Sequence, residues 1–219
     1  MQSALITYLV KDYPEAMGLK RSLTAEELML EVNNSGRFEV SDIKGAVIQS
    51  SGEGTAVFDN RTGYTVEIVK IEAYVKALAG TKAGKGDTCD FILAPNAGNS
   101  VIVLAELSRL QSQYIRPFTQ QKTGSRRPGK RAHVIDQLQS TINRLTMCGT
   151  LISDIKSRVA LFAYRLTDED EGGNVISRRT KKAWNRARQR FSADISNKDI
   201  LTHGFIFEQK QYPNPFIMT

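Results

Sequence analysis

The chain has 219 residues, 41% of them hydrophobic, and a formal net charge of +7 at pH 7. A mean hydropathy of -0.32 is typical of a folded, water-soluble protein and excludes a disordered tail. No apolar run approaches the roughly 18 residues of a membrane-spanning helix, and the N-terminal residues lack the basic leader of a signal peptide. We therefore expect a cytoplasmic protein in which Cys89 and Cys148 are buried thiols; a disulfide or metal site is the alternative.

The positive charge is concentrated in one part of the chain. Residues 116–165 contain 10 Lys and Arg against 2 Asp and Glu, whereas residues 1–60 contain 5 against 9. A surface with this charge attracts phosphate groups, so we expect a polyanionic partner, and nucleic acid above all. A basic face that serves only solubility is the alternative.

Residues 1–60 are expected to form an N-terminal extension or small subdomain, and residues 61–219 an α/β core. Within the extension, residues 23–32 predict a helix, with Thr24 as its N-cap and Glu27 completing a capping box. In the core, the apolar stripe of residues 65–79 predicts an amphipathic helix.

Two apolar segments, residues 89–93 and 101–107, flank an Asn/Gly turn and predict a β-hairpin. Because both are apolar throughout, the sheet that contains them should be covered on both faces. A helix at residues 130–147, a strand at 158–165, a basic helix at 177–191 and a strand at 204–207 follow. This order predicts an α/β fold with a mixed central sheet flanked by helices.

Asp90 begins the first hairpin strand and Glu106 ends the second. If the turn uses the three residues 97–99, Asp90 lies directly opposite Glu106 on the same face. A four-residue loop shifts the register by one and places the two carboxylates on opposite faces. In the first register the pair can hold one Mg²⁺ or Mn²⁺; the alternative is that both residues merely end their strands at a wet edge.

This hairpin resembles the core of the PD-(D/E)XK, or restriction-endonuclease-like, nuclease superfamily: an Asp at a strand start, a turn, and an apolar strand ending in Glu-x-Lys. The similar part runs over residues 65–166. The resemblance implies metal-dependent cleavage of DNA or RNA, with Asp90 and Glu106 as metal ligands and the Leu107 carbonyl as a third. It further implies an acidic residue on the preceding helix, Glu72 or alternatively Glu67, and a glutamine on the following helix, Gln137.

Ser108 stands where this family has the lysine of Glu-x-Lys. A hydroxyl cannot supply the positive charge that offsets negative charge developing on the phosphate. Lys122 in the following loop, or Lys130 at the start of the next helix, would then supply it.

Two basic clusters are predicted to bind the nucleic-acid backbone, because phosphate contacts provide affinity and position. The first lies in the loop after Glu106 and the second on the basic helix; together they include Arg116, Arg126, Arg127, Lys130, Arg131, Arg178, Arg179, Lys181 and Lys182. Tyr114 and Phe118 beside the first cluster can stack on bases, although packing in the core is the alternative.

These features lead to the hypothesis of an Mg²⁺- or Mn²⁺-dependent endonuclease that acts on DNA rather than RNA, either as a homodimer or within a protein complex. A catalytically inactive nucleic-acid-binding subunit of a larger complex, lacking the lysine, is one alternative. A protein-binding adaptor with an acidic and a basic region is the other.

Overall fold

The computed structural model describes residues 3–42, 46–78, 88–111, 114–120, 123–147, 150–167 and 203–219. Its helices are α1 (Ala4–Thr7), a π-helical segment (Tyr8–Asp12), α2 (Tyr13–Ala16), α3 (Ile71–Ala77), α4 (Lys130–Thr146) and α5 (Thr150–Ser153). Its strands are β1 (Leu30–Asn33), β2 (Arg37–Val40), β3 (Ile48–Gln49), β4 (Ala56–Asn60), β5 (Val66–Lys70), β6 (Phe91–Pro95), β7 (Val101–Leu110), β8 (Phe118–Thr119), β9 (Arg126–Arg127), β10 (Ser157–Leu166), β11 (Ile206–Gln211) and β12 (Phe216–Met218).

The central sheet has six strands in the order β1-β5-β6-β7-β10-β11. Neighbours from β1 to β7 are antiparallel, whereas β7, β10 and β11 run parallel to one another. The predicted mixed α/β architecture is therefore confirmed. A second sheet, in the order β12-β4-β2-β3, and the short β8-β9 pair complete the strands of the described residues.

Both faces of the central sheet are buried, as the apolar hairpin strands predict. Alternate side chains of β6 and β7 point to opposite faces. One face packs against the helices through a buried cluster that includes Ile92, Leu104, Phe162, Val134 and Leu138. The other face packs against the four-stranded sheet through a cluster that includes Leu93, Val103, Leu161, Phe38 and Phe58. Among the described residues, helices thus cover one face only, because strands of the second sheet form the other layer.

Residues 23–32 do not form the predicted helix. The two capping-box hydrogen bonds are present: Thr24 N–H donates to Glu27 Oε2 (2.9 Å) and Glu27 N–H donates to Thr24 Oγ1 (3.3 Å). The chain then leaves this turn and enters β1, where Leu30 pairs with Val69 of β5. The sheet edge offers backbone partners to this segment, and that tertiary pairing outweighs its local helical preference.

The predicted helix at residues 65–79 is correct only in its second half. The segment starts as β5, in which Val66 and Ile68 are buried toward the second sheet, and becomes α3 at Ile71. Ile68 fits both the strand period of two and the helical stripe, so the pattern did not locate the change. The predicted helix at 130–147 and strand at 158–165 are confirmed by α4 and β10.

The remaining predictions from the sequence concern single features. Among the described residues, no helix has both the length and the apolar character that crossing a bilayer requires. Cys89 is a buried free thiol, as predicted. Cys148 and the basic helix predicted at 177–191 lie outside the described residues.

Candidate active site

Asp90 and Glu106 lie close together at the end of the β6–β7 pair, where the Asp90 N–H donates to the Ala105 carbonyl at 3.1 Å. Phe91 pairs with Ala105 and Ile92 with Leu104, so the register predicted from a three-residue turn is confirmed. The turn is closed by two residues with left-handed backbone, Gly98 (φ 89°) and Asn99 (φ 43°). Both carboxylates line one cavity.

Strand β7 continues to Leu110, whereas β6 begins at Phe91, so the backbone of β7 beyond Glu106 is not paired by β6. The Asp90 side chain takes the place of that partner: its Oδ2 accepts a hydrogen bond from Leu107 N–H at 2.7 Å. In a strand, the N–H and C=O groups of one residue point to the same side. The Leu107 carbonyl therefore faces the same edge as the Asp90 carboxylate.

Lys130 supplies a positive charge to this carboxylate pair. It is the first residue of α4, and its Nζ lies 2.9 Å from Glu106 Oε1. The Glu106 side chain is 3% exposed and that of Lys130 is 27% exposed. Sequence reasoning offered Lys122 and Lys130 as replacements for the missing lysine; the structure brings Lys130 to the site, and Lys122 lies outside the described residues.

Burial dominates the electrostatics of the site. It raises the pKa of Asp90, and the negative charge of Glu106 raises that pKa further. Burial also raises the pKa of Glu106, although the positive charge of Lys130 acts in the opposite direction. Glu106 Oε2 is buried and has no hydrogen-bond partner among the described residues. An acceptor atom in that position is costly unless a cation or a donor reaches it.

The cavity around these groups has a volume of about 300 Å³. Asp42, Thr55 and Ser108 also line it. Asp42 follows β2 of the second sheet and lies 3.7 Å from Lys70 Nζ, and its charge raises the pKa values of Asp90 and Glu106. Sequence reasoning missed Asp42, because nothing along the chain indicates that the loop after β2 reaches the β6–β7 pair.

The other acidic and amide residues implied by the resemblance lie elsewhere. Glu72, on α3, is paired with Lys76 at 2.5 Å and is not among the described residues lining the cavity. Glu67, on β5, accepts a hydrogen bond from the Ser3 hydroxyl at 2.5 Å. Gln137, on α4, donates from Nε2 to the carbonyl of Thr88 at 3.3 Å, and so contacts the segment just before Asp90.

Apart from Lys130, which lines the cavity, the predicted phosphate-binding residues divide into three groups. Arg116, Arg126 and Arg127 are exposed. Arg131 points away from the cavity, because its guanidinium lies over the ring of Phe207 (5.4 Å) and donates to Gln209 on β11. The third group lies outside the described residues and comprises Arg178, Arg179, Lys181 and Lys182.

The donor set fits a hard divalent cation such as Mg²⁺ or Mn²⁺. Oxygen ligands are what these ions prefer, and the buried Glu106 Oε2, the Asp90 carboxylate and the Leu107 carbonyl are oxygen donors at one edge. The described residues contain no group of three or more His, Cys, Asp and Glu side chains placed to hold a metal. Water or substrate oxygens would therefore complete the coordination.

Raised carboxyl pKa values make the stability of the metal-free protein depend on pH. A carboxyl whose pKa is higher in the folded state stabilises the fold below its ordinary pKa, and this contribution is lost as pH rises through the raised value. In a chelator, the free energy of unfolding should therefore fall as pH rises above the ordinary carboxyl range. Asp90→Asn should be more stable than wild type at pH 8, by on the order of 2 kcal/mol.

Chemical denaturation between pH 5 and 9 measures this effect. The Asn amide oxygen can still accept from Leu107 N–H, so the variant removes the charge while keeping the hydrogen bond. A wild type and an Asp90→Asn variant with parallel pH profiles would contradict the assigned burial of this carboxyl.

Lys130 is positioned by close backbone packing at Gly129. A Cβ at residue 129 would clash with the Arg116 carbonyl carbon and the Ile115 oxygen. Gly129→Ala should therefore lower the free energy of unfolding by about 1–3 kcal/mol and displace the start of α4. Urea denaturation measures this loss of stability. Gly36→Ala is the control, because a Cβ at residue 36 would meet only the Asn60 carbonyl oxygen, at 3.9 Å. Equal stability of the two variants would contradict this packing.

In comparisons with known proteins, no family model, curated protein or solved structure matches this chain.

Proposed function

We propose that this chain is a metal-dependent nuclease with a restriction-endonuclease-like core that hydrolyses phosphodiester bonds of DNA. The observation that carries the proposal is the convergence of Asp90, Glu106 and Lys130 in one cavity at the end of the β6–β7 pair. The sequence resemblance implies a helix, a hairpin, a helix and a strand in that order. Elements α3, β6, β7, α4 and β10 follow one another in this order, with the short β8, β9 and α5 between them.

Four residues of the cavity have a chemical task in this proposal. Asp90, Glu106 and the Leu107 carbonyl would hold Mg²⁺ or Mn²⁺. The ion, when bound, lowers the pKa of a water molecule and offsets charge on the phosphodiester. The hydrogen bond from Leu107 N–H fixes the Asp90 carboxylate in one orientation, and such fixation reduces the reorganisation needed during the reaction.

Lys130 has the task of the family's Glu-x-Lys lysine. Its ammonium group is 2.9 Å from Glu106 Oε1 and lines the same cavity, so a scissile phosphate in that cavity would lie beside it. A fixed positive charge there stabilises negative charge that develops on the phosphate during attack by water. The exposed Arg126 and Arg127 on β9 extend the positive surface from this point for binding of the flanking phosphates.

Incubation with nucleic acid tests the proposal. Wild-type protein should cleave DNA with Mg²⁺ or Mn²⁺ and show no cleavage with EDTA; supercoiled plasmid, linear duplex, single-stranded DNA and RNA are compared in parallel. Cleavage in EDTA would contradict the role assigned to the metal. Binding to DNA without cleavage under any of these metal conditions would favour the inactive-subunit alternative.

A further inference from the structure

A second, larger cavity adjoins the first and shares Lys130 with it. Its volume is about 630 Å³, within the range of about 300–1,000 Å³ that is typical of small-molecule sites. The described residues that line it include Tyr114, Phe118, Arg127 and His133, and none of them is acidic. Aromatic faces beside positive charge suit a nucleobase and its phosphate.

The aromatic side chains of this cavity are arranged as a connected wall. The rings of Tyr114 and Phe118 meet edge to face, 4.9 Å apart at 69°. Phe118 is paired with Arg127 across the β8–β9 ladder, so their side chains share a face. Tyr114 is 39% exposed and Gln120 accepts from Arg127 Nε at 3.3 Å, so one ring is accessible and one guanidinium is oriented.

Tyr114 precedes a buried, hydrogen-bonded part of the backbone. The next residue, Ile115, is 4% exposed, and its carbonyl accepts a hydrogen bond from Arg131 N–H at 3.2 Å. Gly129, the residue before α4, approaches the Ile115 and Arg116 backbone closely, so residues 115–116 pack against the start of α4. The backbone beside Tyr114 and the start of α4, which carries Lys130, are therefore packed together, and this preorganisation lowers the entropic cost of binding a ligand across both cavities.

We propose that the Tyr114–Phe118–Arg127 cavity binds an unpaired nucleobase next to the scissile phosphate, so that the substrate is a single-stranded segment of nucleic acid. The inference rests on the proposed nuclease function of the neighbouring cavity. A base inside a duplex is stacked between its neighbours and does not present its face to a protein ring, whereas an unpaired base does. The sugar is not specified by these contacts, so DNA and RNA strands are both tested.

Fluorescence anisotropy in EDTA measures this binding without cleavage. Wild type should bind a labelled single strand more tightly than the same sequence as a duplex. Tyr114→Ala should weaken single-strand binding about tenfold, and Tyr114→Phe should bind almost as wild type does. Tyr64→Ala is the matched control, since Tyr64 is 46% exposed and lies against Gly98 at the turn of the β6–β7 hairpin; it should leave binding unchanged.

Strands with one abasic position, moved stepwise along the sequence, identify the bound base. When the abasic position coincides with the bound base, wild type and Tyr114→Ala should bind the strand with equal affinity, because the base that stacks on the Tyr114 ring is absent. Unchanged single-strand affinity in Tyr114→Ala, or an equal loss on duplex and on every abasic strand, would overturn the proposal. Because the assay requires no cleavage, its failure is distinguishable from failure of the nuclease proposal, which the metal-dependent reaction tests.

Discussion

Asp90→Asn and Glu106→Gln should each abolish metal-dependent cleavage, with a loss of about 10³-fold or more. Both residues are buried at the same edge, and each provides oxygens to the proposed ion that an amide replaces only in part. Neither substitution removes volume from the site. The loss should therefore appear in the rate of the chemical step measured under single-turnover conditions, and not in the affinity for DNA at saturating metal.

The matched control for this pair is Asp59→Asn. Asp59 is a carboxylate of β4 that pairs with Arg61 at 2.7 Å and does not line the cavity. The Asp59→Asn variant should cleave DNA at the wild-type rate. The double variant of Asp90 and Glu106 should lose no more than the stronger single variant, because the two residues act as a unit. If Asp90→Asn retained cleavage activity, this hairpin would not be part of the active site.

Lys130→Met should lower the cleavage rate by about 10²–10³-fold, because the variant keeps the length and apolar stem of the side chain but loses its charge. Mn²⁺ affinity should stay the same or rise, since Glu106 Oε1 no longer has the ammonium group at 2.9 Å. A slower reaction with undiminished metal binding would show that Lys130 acts through its charge on the reacting phosphate and not through the binding of the metal. Isothermal titration with Mn²⁺ and single-turnover cleavage measure the two parts.

Lys130→Arg is the control, because it retains a positive charge at the start of α4. It should recover part of the lost rate, though less than wild type, since a planar guanidinium does not reproduce the geometry of an ammonium group. A Lys130→Met variant that cleaves as fast as wild type would show that the missing lysine of the motif is not replaced from α4.

The hairpin and its carboxylate register were predictable from the sequence. The two strands are apolar throughout, and the Asn/Gly turn left two registers, of which one places Asp90 opposite Glu106. The long helix α4 was predictable for the same reason, since its apolar residues recur at helical spacing over several turns. Strong periodicity over many residues leaves little for tertiary contacts to change.

The rest of the site depends on contacts between distant parts of the chain. Asp42 reaches the cavity because the second sheet packs on the central one, and Lys130 because α4 packs beside β7. The turn at Thr24 contains the hydrogen bonds of a helical capping box, yet the chain continues into strand β1. Pairing of β1 with β5 determines the conformation of this segment. Local patterns contain no information on these approaches.

Diffraction from crystals grown with Mn²⁺ tests the central claim most directly. Anomalous differences recorded at the manganese edge locate the ion independently of the refined protein atoms. We predict one strong peak at about 2.0–2.3 Å from oxygens of Asp90, Glu106 and the Leu107 carbonyl, which disappears in crystals of Asp90→Asn. Mn²⁺ bound elsewhere on the protein, with this edge empty at saturating metal, would contradict the assignment of the β6–β7 carboxylates as the metal site of a nuclease.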